Sequence, residues 1–245
     1  MILGISQLAF DKFEDLESSL ETLIDNDIQN IEVVYPKMES NPLGYTSFFI
    51  QQNIQTKSTQ SILFGSDVKD FLDESFIKHI EKIIKTNTSF GVEVSVLGSP
   101  KQRLEFREHE LISQFKAVDL ILESTNQILC IEPNCKNYGG SYFFTVTEIA
   151  DFIRKGEFKN IKTMLDTHNI INEGQSPTEI YNQFRDLILH VHVSENNLSD
   201  FIESNEHKKL SNALKSNNYK GIITYEVLPS KNLKFSLEKF KNIYK

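Results

Sequence analysis

A single (β/α)8 barrel is the fold class this sequence predicts. Three observations predict it. Short runs rich in β-branched and aliphatic residues alternate with helix-prone stretches along the chain, the pattern of parallel strands joined by crossover helices. The 245 residues suit one such barrel, which takes roughly 200–250. The rival doubly wound sheet needs a Gly-rich phosphate loop after its first strand, and ILGISQLAF contains no GxGxxG. Residues 1–245 are therefore expected to form one barrel domain.

The strands are expected at ILGISQL (2–8), NIEVVY (30–35), STQSILF (58–64), GVEVSVLG (91–98), QILCIEP (127–133), IKTMLD (161–166), LILHVHV (187–193) and GIITYEV (221–227). Helices fall between them. FEDLESSLETLIDN (13–26) carries Phe13, Leu16, Leu20 and Leu23 on one face. A second helix is expected near 42–53. ESFIKHIEKII (74–84) carries Phe76, Ile77, Ile80 and Ile84 at helical spacing, and 109–125 and 147–155 read similarly. SPTEIYNQF (176–184) opens with Ser176 at the N-cap and Pro177 at the first helical position. HKKLSNALKS (207–216) and LKFSLEKFKNIYK (233–245) complete the set.

Charge and composition narrow the function. Against 26 Lys and Arg stand 34 Asp and Glu, a net charge of −8, which opposes binding that depends on phosphate neutralisation. No nucleic-acid partner is expected. No apolar run approaches the length of a membrane span. The opening MILGISQLAFDKFED lacks the basic start of a signal peptide. With only Cys130 and Cys135, the chain suits a reducing compartment, and the cytoplasm is the expected location.

A barrel gathers its chemistry at the C-terminal strand ends. Four consecutive late strands end in Glu132, Asp166, His192 and Glu226. By strand alternation Glu132 shares its face with Cys130 and Ile128, and Asp166 with Met164. His192 shares its face with His190 and Ile188, and Glu226 with Thr224 and Ile222. The companions are mostly suited to filling a barrel, so the four polar groups form its top layer. Taken singly, a strand-end Glu anchors a loop, an Asp caps a helix and a His sits satisfied in the core. Four on successive strand ends make a hard, oxygen-rich site for one divalent ion, Mn²⁺, Mg²⁺ or Co²⁺, with Zn²⁺ also accommodated. Without a cation, three clustered carboxylates repel and some protonate.

The strings IEPN (131–134), LDTHN (165–169), HVHVSEN (190–196) and TYEV (224–227) resemble the xylose isomerase-like barrel superfamily, and within it the sugar phosphate isomerase/epimerase branch. ISQLAFD (5–11), IEVVYPK (31–37) and VLGSPKQR (96–103) extend the resemblance over most of the chain. It implies a metal held by Glu132, Asp166, His192 and Glu226. It also implies that Glu132 and Glu226 act as the acid/base pair that removes and returns a proton next to a carbonyl. A sugar or sugar derivative is the implied substrate. Two positions depart from the pattern. The branch has a histidine three residues after the strand-6 Asp, whereas His168 follows Asp166 by two. Ketose 3-epimerases carry an arginine six residues after the strand-7 His, and Leu198 stands there.

Further substrate-binding candidates surround this set. Ser99, Lys101 and Arg103 follow strand 4, where a basic pair could hold a phosphate or carboxylate or simply be a solvated loop. Glu32, ending strand 2, either binds a sugar hydroxyl or orients a neighbour. Asn134, His168 and Glu195 follow the ligand strands. His190, one layer lower, reads as a core histidine, Cys130 as packing and Cys135 as a loop thiol. Three alternatives to isomerisation stay open: dehydration by the same proton abstraction, a barrel that binds without turnover, and the superfamily's endonuclease activity. The last needs several more strand-end histidines than the six in this chain provide. The short βα loops leave room for a homo-oligomer in which a neighbouring subunit closes the site.

Overall fold

Residues 1–52 and 54–245 are described in the computed structural model of this chain. All eight expected strands are present and parallel: β1 (Ile2–Ser6), β2 (Asn30–Val34), β3 (Ser58–Gln60), β4 (Val94–Leu97), β5 (Ile128–Ile131), β6 (Ile161–Asp166), β7 (Ile188–Ser194) and β8 (Ile222–Glu226). They close into a barrel in sequence order, with Ile2 to Ile5 of β1 registered on Ile222 to Tyr225 of β8. The expected architecture is therefore the observed one. No helix among the described residues is long and apolar enough to cross a membrane.

The helices are α1 (Phe13–Ser18), α2 (Leu20–Asp25), α3 (Tyr35–Ser40), α4 (Pro42–Gln52), α5 (Glu74–Phe90), α6 (Glu108–Glu123), α7 (Val146–Gly156), α8 (Thr167–Asn172), α9 (Pro177–Phe184), α10 (Asn205–Ser216) and α11 (Leu233–Tyr244). The single helix expected over 13–26 is broken at Ser19. The Ser18 and Ser19 hydroxyls both donate to the Asp15 carbonyl, at 3.0 and 2.8 Å, and compete with the backbone ladder there. Residue 53, at the expected end of the second helix, lies outside the described residues.

Strand ends move for local reasons. Ser6 stops β1 because its hydroxyl accepts from the Leu8 N–H at 3.0 Å and starts a 3-10 turn. Ser61 leaves the extended region at φ 56° and stops β3 short of its expected end at 64. Gly91, expected to open β4, instead ends α5 in the left-handed conformation, where only a residue without Cβ is free of strain. Two short helices, α3 and α8, follow β2 and β6 directly.

The strands separate two apolar layers. Outside, helices pack through a chain of rings in which Phe76–Phe115, Phe115–Phe152 and Phe152–Phe158 centroids lie 5.6, 5.3 and 5.4 Å apart. Inside, Val94, Val96, Cys130 and Met164 form a small cluster with Ile128 and Leu189 at its edge. Leu189 corrects the expected alternation of β7. The register against β6 passes from Thr163–Ile188 to Met164–His190, so Leu189 is an extra residue at a β-bulge. Ile188 therefore joins the outer layer, while Leu189, His190 and His192 face inward. Polar contacts fill the opposite half of the interior: Asn30 donates to the Ser58 hydroxyl at 3.1 Å, and Gln60 donates to Ser6.

Candidate metal centre

Each of the four strand-end groups is delivered by its own strand. Glu132 directly follows β5, its N–H bonded to the Leu97 carbonyl at 3.1 Å, which continues the ladder by one residue. Asp166 ends β6 and caps α8, its Oδ1 accepting from the Asn169 N–H at 2.7 Å and from the Ser194 hydroxyl at 2.9 Å. His192 lies beside Asp166 in the sheet register and Glu226 beside Ser194.

One ligand atom from each of Glu132, Asp166, His192 and Glu226 falls within 4.8 Å of the others. His192 Nδ1 is 3.4 Å from Glu132 Oε1 and 3.5 Å from Glu226 Oε2. Coordination bonds of about 2.0–2.3 Å place ligand atoms roughly 3–4.6 Å apart, so these atoms have the spread that one ion requires. His192 and Asp166 are buried, and the Glu132 carboxylate is the most open of the four, its side chain 14% exposed.

The electrostatics suit a bound cation. Burial, then the charges of Glu132 and Glu226, push the Asp166 carboxyl up to about 7. Burial alone would lower His192, but Glu32 and Glu226 outweigh it and hold the imidazole well above its ordinary range. His192 Nδ1 is itself buried without a hydrogen-bond partner. A divalent cation among these atoms relieves the carboxylate repulsion and occupies the orphaned nitrogen.

The remaining candidates scatter. Arg103 is fully buried, and burial brings its guanidinium down to about 10. Its nitrogens donate to the carbonyls of Phe143 (2.9 Å), Glu132 (2.8 Å), Leu97 (3.3 Å) and Gly98, so these donors staple two loops. Lys101 is exposed and Ser99 half-buried, with Ser99 left-handed at φ 52°. Glu195 is turned outward, accepting from the Ile202 N–H at 3.0 Å and contacting His207 Nε2 at 3.1 Å, so it ties β7 to α10. His168 opens α8 half-buried, its N–H donating to the Ser194 hydroxyl at 3.3 Å. Asn134 is buried with its Oδ1 unpartnered, beside Glu132. Glu32 is wholly buried against the two β7 histidines. Of its two expected roles, binding a sugar hydroxyl or orienting a neighbour, these contacts match the second.

Two residues of the site lay outside the sequence reading. Gly98 is needed because a Cβ there would collide with Glu132 Oε2. Its position at the end of the fourth strand was the available signal. Ser194, two residues beyond His192 and thus on its face, holds Asp166.

A closed parallel barrel with acidic and imidazole side chains gathered at its strand ends defines the class: a (β/α)8 barrel with a candidate metal site. The chain belongs to the xylose isomerase-like TIM barrel family, whose sequence profile matches residues 49–243. No curated protein matches the chain in sequence. Solved structures resemble it in fold. The apo 3-keto-D-glucoside 4-epimerase of E. coli superposes with a TM-score of 0.80 at 15% identity, covering 99% of this chain and 97% of that one. D-psicose 3-epimerase of Clostridium cellulolyticum, solved with D-tagatose, gives 0.77 at 13% identity over 100% and 90%. A probable 3-DHS dehydratase of Bacillus anthracis gives 0.70 at 15% over 99% and 98%.

Proposed function

We propose that this protein is a divalent-metal-dependent isomerase or epimerase that acts on a sugar or sugar derivative by moving a proton next to a carbonyl. The observation that carries the reading is the convergence of Glu132, Asp166, His192 and Glu226, with an orphaned imidazole nitrogen among three carboxylates. These four residues would hold Mn²⁺, Mg²⁺, Co²⁺ or Zn²⁺. Bound there, the ion supplies the positive charge that makes a C–H next to a carbonyl acidic enough to lose its proton near neutral pH.

Glu132 and Glu226 supply the proton chemistry. They reach the His192 ring from β5 and β8, at 3.4 and 3.5 Å from its Nδ1, and so stand on separate walls of the mouth. One carboxylate removes the proton and the other returns one at the second face or the neighbouring carbon. Asp166 is assigned the part of a ligand, its Oδ1 held by the Asn169 N–H and the Ser194 hydroxyl.

The test is a metal-loaded assay against neutral ketoses, aldoses, keto-glycosides and sugar phosphates in D₂O. The expected result is isomerised product with deuterium next to the carbonyl. Glu226→Gln should cut turnover about 10²–10⁴-fold while leaving much of the substrate affinity. A Glu226→Gln variant with full activity would sink the proposal. A product short of one water would identify the dehydratase use of the same carboxylates.

A further inference from the structure

Glu32 enters the barrel interior from β2, wholly buried, and its two oxygens face two different histidines of β7. Oε1 lies 2.6 Å from His192 Nε2, and Oε2 lies 2.6 Å from His190 Nε2. Only the first contact has hydrogen-bond geometry; a nitrogen and an oxygen this close share a proton, so His192 donates through Nε2 to Oε1. Oε2 has no hydrogen-bond partner, and His190 packs against it. Donation by His192 through Nε2 leaves Nδ1 as the ring atom facing Glu132 and Glu226, without a hydrogen-bond partner, where it would offer its lone pair to a cation.

We propose that Glu32 is the positioning residue of the metal centre: it accepts the Nε2 proton of His192, and so fixes the ring of His192 with Nδ1 as its metal-facing atom. The inference rests on the metal reading above and adds the groups that hold one ligand in place. His190 has its own part. By packing against the second oxygen it limits rotation of the Glu32 carboxylate away from His192. The bulge at Leu189 aims both rings inward, since Leu189 absorbs the register shift immediately before His190.

A rival use of the same atoms is a second cation site made by Glu32, His190 and His192, whose ligand atoms also lie close together. The spacing argues against it. Two ligands of one ion at about 2.0–2.1 Å and a tetrahedral angle stand roughly 3.3 Å apart, whereas each pair here is 2.6 Å apart. That is a hydrogen-bond length.

The experiment compares the wild-type chain with Glu32→Gln and Glu32→Asp, using Mn²⁺ calorimetry and the ring N–H resonances of ¹⁵N-histidine in the metal-free protein. Wild type should bind one ion per chain and show a downfield, slowly exchanging His192 Nε2 proton. Glu32→Gln should lose that protection and bind Mn²⁺ about 10–100-fold more weakly, the usual consequence of removing a metal ligand's hydrogen-bond partner. Glu32→Asp keeps the charge but retracts it by one methylene. It should recover part of both signals, and it provides the same two readouts if the glutamine variant does not fold. Variants that bind Mn²⁺ as tightly as wild type with an unchanged His192 proton overturn this inference alone. Two ions per wild-type chain overturn it in favour of the second site. A wild-type chain that takes up no Mn²⁺ overturns the metal reading, and this inference with it.

Discussion

Gly98 shows how much of the site depends on what a residue lacks. The Glu132 carboxylate occupies the volume where a Cβ on residue 98 would stand. Gly98 is outside the left-handed region, so alanine meets no backbone strain there. It should even stabilise the chain by about 0.4–1 kcal/mol through the unfolded state. The cost falls on Glu132, the flexible partner, which must swing out of the ligand set. Gly98→Ala should thus unfold at equal or higher urea concentration yet bind Mn²⁺ at least about 10-fold more weakly. An unchanged Mn²⁺ affinity would contradict the placement of Glu132. At this scale the gathering of the four strand-end groups was legible, from their place on successive strands and from the family resemblance. The roles of Glu32, Arg103 and Glu195 were not. Glu32 meets a histidine 160 positions away, and Arg103 is spent on carbonyls up to 40 positions away. Local sequence carries no trace of such partners.

Among the elements, the strands were readable as apolar runs because a parallel sheet is covered on both faces. Their ends were not, since single side chains decide them: the Ser6 hydroxyl, the positive φ of Ser61, the Gly91 cap. The six-residue helices α3 and α8 escaped for a related reason. Each spans under two turns, too short for a period to show. In α8 the start is set instead by Asp166, which is cap and candidate ligand at once. The β6–α8 junction is tied to β7 through Ser194: its hydroxyl donates to Asp166, and its backbone N–H and C=O bond the Thr167 hydroxyl at 2.9 and 2.8 Å. Ser194→Ala removes the hydroxyl and leaves the backbone ties. It should cost about 1 kcal/mol in urea unfolding and weaken Mn²⁺ binding by about 10-fold, the lower end for a ligand's supporting group. Loss of stability with full Mn²⁺ affinity would show that Asp166 needs no such support.

For the molecule as a whole, the candidate ligands come from β5, β6, β7 and β8, which lie side by side in the ring. An ion bound by all four would link half of the barrel ring into one unit that the unfolded chain cannot reproduce. At an Mn²⁺ concentration 100 times its dissociation constant, the folded state gains about 2.7 kcal/mol. For a chain of this size the melting temperature should then rise by roughly 5–10 °C. Differential scanning calorimetry with Mn²⁺ and then with excess chelator checks this. A melting temperature indifferent to both would remove the ion from the account of the fold. The net charge of −8 works the same way, since three of the acids that produce it gather at one mouth.

The pairing of β1 with β8 has a consequence for how the protein comes into being. As the chain leaves the ribosome, β1 emerges first and keeps an unpaired edge until Ile222–Glu226 follows. The strand that closes the ring is the strand that carries Glu226. A nascent chain therefore holds three of the four candidate ligands on an open, adhesive sheet, and gains the fourth in the same event that hides its last free edge. Completion of the candidate ion site and escape from aggregation would then be one step of biogenesis, out of reach of a nascent chain halted before Ile222.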